Sequence, residues 1–221
     1  MRSPFVHRVL GAALAALGGH LAAAASPSCD APAPQVFLER FVPADCEACW
    51  QRATPRDRGA RQLVLDWIVP AGDAAPLASA ALPEAARRVG TAARETQWRS
   101  TSLRRAGAPQ LRIADGPGWN GYVGLRLVVT RRDAVPPDAV AYAALVERVP
   151  AGSEGTPVDR QLVRAVIGPL GLGELAASST LEHMSAVRLP DIERPDRLGS
   201  VAWIETAQGK VIAAAQSCAA P

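Results

Sequence analysis

Four cysteines remain once a leader is set aside, and their placement constrains the chain more than any other feature. Cys29 and Cys218 stand near the two ends of the mature sequence, and Cys46 and Cys49 form a C-x-x-C. Four cysteines allow three connectivities. The economical one joins Cys46 to Cys49 and Cys29 to Cys218, which requires a fold whose ends meet. Closing a loop of nearly the whole chain is worth roughly 5 kcal/mol on the loop-entropy model, so we read that bridge as a structural disulfide. A four-cysteine zinc site is the rival reading, but structural zinc takes two close pairs, and Cys29 and Cys218 have no near partner. We expect no metal and no cofactor.

The leader explains why disulfides are expected at all. Arg2 and Arg8 precede an apolar stretch from Val9 to Leu21, and Ala23-Ala24-Ala25 supplies small residues for cleavage before Ser26. The stretch is shorter than the ~20 residues a spanning helix needs. The expected product is a periplasmic or secreted bacterial protein with no membrane span after cleavage. The whole chain carries a formal charge of +3, and all but one of its 24 basic residues are Arg, the exception being Lys210. Without Arg2 and Arg8 it is close to neutral, which argues against nucleic acid as a partner.

The pattern changes along the chain. Val36–Val42 and Gln62–Val69 are apolar runs of strand length, Ala48 to about Ala60 and Leu82 to about Leu103 can be helical, and Gln110–Ala114 reads as a third strand. Asp115-Gly116-Pro117-Gly118 reads as a turn. From Trp119 onward, six strand-length runs alternate with turn residues, and Ala207-Gln208-Gly209 connects the last two. The expected fold is α/β plus all-β. It comprises a signal peptide at 1–25, a trimmed thioredoxin-like domain at 26–117, and a small antiparallel β-sandwich-like domain at 118–221.

A buried strand running into C-x-x-C and a helix puts Cys46 at a helix N-terminus, where unpaired N–H groups favour a thiolate. Cys49, one turn further, would resolve the mixed disulfide. Glu47 between them opposes a thiolate, so the Cys46 pKa should be lowered only modestly. Glu39 shares a face with Phe37 and Phe41, and could exchange a proton with Cys49 or could pair with an Arg. Ala108-Pro109 precedes a strand, where a cis proline could shape a substrate groove beside the cysteines. Trp50 is the aromatic expected nearest that groove, and Asp66 could line the face near Cys46. After Ala25 the chain has one histidine, His183, and no spacing that suits nucleophilic hydrolysis.

The stretch Val36 to Cys49 (VFLERFVPADCEAC) resembles the opening of secreted thioredoxin-like bacterial proteins catalogued as domain of unknown function 1223. The resemblance places Glu39, Phe41, Cys46 and Cys49 on the family's positions and aligns Pro109-Gln110-Leu111, Leu162–Ala165 and Ser200–Gln216 with later segments. Trp50 stands where that family carries proline. The resemblance implies a thioredoxin-like domain joined to a β domain. Two functions follow as expectations: thiol–disulfide exchange on protein thiols through Cys46 and Cys49, or a non-catalytic envelope module in which that bond is structural and the β domain binds a protein partner.

Overall fold

The structure, a computed structural model, describes residues 33–53, 61–90, 94–103, 107–130, 135–173, 179–189 and 194–218. The expected signal peptide and Cys29 lie outside the described residues. The strands are β1 (Val36–Pro43), β2 (Gln62–Val69), β3 (Gln97–Ser102), β4 (Gln110–Trp119), β5 (Tyr122–Thr130), β6 (Val140–Val149), β7 (Arg160–Gly171), β8 (Thr180–Arg188), β9 (Leu198–Glu205) and β10 (Val211–Gln216). Among the described residues two short α-helices accompany them, α1 (Glu47–Trp50) and α2 (Pro83–Val89). No helix among the described residues is long and apolar enough to cross a membrane.

Seven strands form one mixed sheet in the order β10-β9-β6-β7-β2-β1-β3, and three form a second in the order β4-β5-β8. Strands β1 and β2 pair in parallel, from Val36 opposite Gln62 to Pro43 opposite Val69. Both read as nearly continuous apolar runs because both of their faces are covered, as parallel strands require.

The large sheet curls on itself. Phe37 on β1 and Trp203 on β9 lie 5.8 Å apart between ring centroids, although three strands separate them in the sheet. Trp203 also stacks on Tyr142 at 5.3 Å and meets Trp67 edge-on at 6.1 Å. These rings fill the concave face, and α2 closes it by burying Ala85 with Leu82, Ala86 and Val89 alongside. On the convex face Ile113, Leu125, Leu127 and Val129 of the small sheet pack on Ala143, Leu145, Ala202 and Ile204. Alanine at these positions lets the two sheets approach closely, so part of the chain's high Ala content sits between layers.

The expected fold class is corrected. The chain is mostly β, and a thioredoxin-like α/β architecture is not present among the described residues. The run expected to be helical from Leu82 to Leu103 ends at Gly90, which takes a left-handed φ of 77° and donates its N–H to the Ala86 carbonyl. Gln97–Ser102 (QWRSTS), rich in strand formers, instead pairs antiparallel with β1. The expected helix at Ala48–Ala60 is a single turn, Glu47–Trp50, and residues 54–60 lie outside the described residues. The separate antiparallel sandwich is corrected as well. Strands β6, β7, β9 and β10 join β1–β3 in one sheet.

The turn read at Asp115–Gly118 lies inside β4 as a register shift, and the chain reverses at Asn120-Gly121. Both residues have positive φ, 48° and 78°, which is what a two-residue hairpin turn requires.

Candidate functional site

The candidate redox site grows from the carboxyl end of β1. After Pro43 the chain turns through Ala44 and Asp45, and the Cys46 N–H bonds the Pro43 carbonyl at 3.1 Å. Cys46 then caps α1, accepting backbone bonds from Cys49 and Trp50. Cys46 and Cys49 are joined by a disulfide, with their Cα atoms 5.2 Å apart. The two cysteines meet the same apolar cluster but differ in exposure. Cys46 is half-buried, whereas Cys49 is 5% exposed and packs among Val42, Ala44, Ile68, Val149 and Leu162. Cys218 is also disulfide-bonded. Its expected partner, Cys29, lies outside the described residues.

Beneath the turn lies a buried charged cluster. Trp50 is only 4% exposed, between the Arg40 guanidinium at 5.4 Å and that of Arg160 at 4.7 Å from its ring. Its indole N–H donates to the Glu154 carbonyl at 2.8 Å. Arg160 donates to the carbonyls of Trp50 (2.7 Å) and Arg52 (2.6 Å), satisfying groups left free at the end of so short a helix. Asp66 accepts from Arg40 at 2.5 Å and from Arg160 at 3.4 Å. Burial raises the Asp66 carboxyl above its ordinary value, and the two guanidiniums offset only part of that rise. Burial likewise lowers Arg40, opposed by Asp66. The opposite charges thus offset part of one another's burial cost in an apolar setting, and the turn rests on them.

The site residues expected from sequence are not all gathered here. Glu39, 1% exposed, points to the concave face with Phe37 and Phe41, whereas Cys49 packs with Val42 on the convex face. The sheet thus stands between Glu39 and the disulfide. Glu39 accepts two bonds from Arg88, at 2.8 and 3.1 Å, and Arg88 donates a third to Glu205 at 2.6 Å. Ala108 and Pro109 lead into β4, which packs on β5, β9 and β10, and no β4 residue belongs to the cluster around Cys49. The cis peptide bond among the described residues is Gly168–Pro169, so Ala108–Pro109 is trans. Trp50 lies beside Cys49 but as a buried anchor, not as an exposed groove wall.

Sequence reasoning passed over Arg40, Arg160 and Glu154. A signal existed for the first. Arg40 and Asp66 are each the fifth residue of an apolar strand, and an in-register parallel pair places them opposite one another. Among the described residues no group of three or more His, Cys, Asp or Glu side chains is gathered for a metal.

No family model matches the chain, and no curated protein matches it. Among solved structures it is similar to HBP35 of Porphyromonas gingivalis, with a TM-score of 0.55 at 12% identity. The likeness covers 84% of this chain and 75% of that one, and at such identity it shows a shared fold alone.

Proposed function

We propose that the protein exchanges disulfides with protein thiols through Cys46 and Cys49, outside the cytoplasm. The observation that supports this reading is the asymmetry of the pair: Cys46 is half-buried, whereas Cys49 is 5% exposed. A partner thiolate attacks the Cys46 sulfur, the Cys46–Cys49 bond breaks, and Cys49 leaves as a thiolate. A second partner thiolate then attacks the partner's own sulfur in the mixed disulfide and expels Cys46. The partner loses two electrons and two protons, and Cys46 and Cys49 receive them as thiols. The reverse sequence reduces a partner disulfide. Neither Glu39 nor Pro109 is required, since neither lies beside the pair.

The test uses glutathione disulfide as probe. In Cys49→Ser, Cys46 should form a mixed disulfide with it, read by mass. In Cys46→Ser, the buried Cys49 thiol should react at least about tenfold more slowly, because access limits exchange. Equal rates in the two variants would sink the proposal.

A binding role is the second reading, favoured by Trp119 (76% exposed), Tyr122 (50%) and Met184 (71%) at the β4–β5 hairpin and on β8. An envelope protein partner lost on Trp119→Ala but retained in Cys46→Ser would select it.

A further inference from the structure

The curl of the large sheet leaves a second feature, remote from the disulfide. Where its two ends approach, between α2, β3 and the β9–β10 turn, lies an open cavity of about 670 Å³. That volume falls within the ~300–1,000 Å³ of small-molecule sites.

The charges around it do not balance by hydrogen bonds alone. Arg88 is fully engaged with Glu39 and Glu205, and Glu205 also accepts from the Trp203 indole at 2.7 Å. Arg87 bonds Glu84 at 2.7 Å at the exposed mouth, and Asp138 is exposed at the rim. Five buried side-chain atoms among the described residues have no hydrogen-bond partner, and two of them, Arg99 Nη1 and Thr206 Oγ1, belong to residues that line the cavity. Glu39 Oε2 forms an ion pair with Arg99 Nη1 at 3.6 Å, too long for a hydrogen bond. A buried polar atom left unpaired is costly, and Arg can only donate. A ligand meeting Arg99 in this cavity would therefore have to present an acceptor.

The remaining wall is apolar: Val140, Tyr142, Val166 and Pro169. Burial and nearby Glu205 raise the Tyr142 phenol, so its hydroxyl stays a donor. Gly209, with a φ of 73°, keeps the passage to the guanidinium open. A Cβ there would stand 3.2 Å from Arg99 Nη2 and 3.9 Å from Glu205 Oε2.

We propose that this cavity binds a small organic carboxylate, its oxygens on Arg99 and Thr206 and its apolar body against Tyr142 and Val166. The test is a titration of the oxidised protein with benzoate, followed by the backbone amide NMR signals of Thr206 and Gly209. Saturable shifts are expected, with benzamide, which lacks the charge, and acetate, which lacks the apolar body, each binding more weakly. Arg99→Met should weaken benzoate by about tenfold or more, as loss of a charged hydrogen bond does. Thr206→Val, nearly isosteric, should weaken it less, and serves alone if Arg99→Met does not fold. No shift up to the solubility of benzoate would overturn the proposal. So would equal affinity for acetate or inorganic phosphate, or unchanged affinity in both variants.

Discussion

Adjacent residues of β1 carry the same chemistry to opposite faces of one sheet. Glu39 bonds Arg88 in the concave face, and Arg40 bonds Asp66 in the convex face. The concave pair joins elements far apart in the sheet, because Arg88 of α2 also holds Glu205 of β9. It stacks over Trp203 at 5.0 Å and Trp67 at 5.4 Å, and so closes the curl. The convex pair, with Arg160, lies under Trp50 and supports the disulfide turn. Side chains alternate across a strand, so a one-residue step separates a group that shapes the sheet from one that supports the site.

Breaking the convex cluster should have the largest effect. Asp66→Ala leaves Arg40 and Arg160 buried without their carboxylate, and should cost about 3–5 kcal/mol in urea unfolding. On the concave face, Glu39→Gln removes a charged acceptor but leaves Glu205 on Arg88. About 1.5–3 kcal/mol should be lost, with the rate of glutathione disulfide reaction at Cys46 in Cys49→Ser unchanged. A changed rate would mean that the two faces are not independent. Trp50→Phe deletes the bond to the Glu154 carbonyl. About 1 kcal/mol should be lost, and amide exchange around Glu154 should quicken more than exchange in β9.

The smallest effect concerns Glu147, a second buried carboxyl of the convex face. Burial raises it above its ordinary value of 4.5, partly offset by Arg164. A raised carboxyl contributes its stability below the unfolded pKa and loses it as pH rises through the folded one. The stability of the protein relative to Glu147→Gln should therefore fall as pH rises from 4.5, as measured by urea midpoints.

Much of the strand content was legible in the sequence. The Val36, Gln62 and Tyr122 runs begin strands as read, because apolar runs and alternation are local properties. The sheet assignments were not. Whether β6 joins β7 and β9 or a separate sandwich depends on pairings across long sequence separations, which periodicity does not encode. Gly90 and Asn120-Gly121 were local signals of a helix end and a hairpin turn, and they outrank the apolar spacing of Leu82–Leu103 and the glycines of Gly116–Gly118. At the site, the C-x-x-C and its strand were readable, whereas the support from Arg160 and Glu154 comes from 104 to 110 residues away in sequence.

Under the proposed function the Cys46–Cys49 bond cycles between disulfide and dithiol. Its reduction potential tests this most directly, in a chain with Cys29 and Cys218 changed to Ser, equilibrated in glutathione buffers and read by alkylation and mass. We predict a value within roughly −120 to −270 mV, the range of working oxidoreductases. A value below about −300 mV, where structural disulfides lie, would contradict the account.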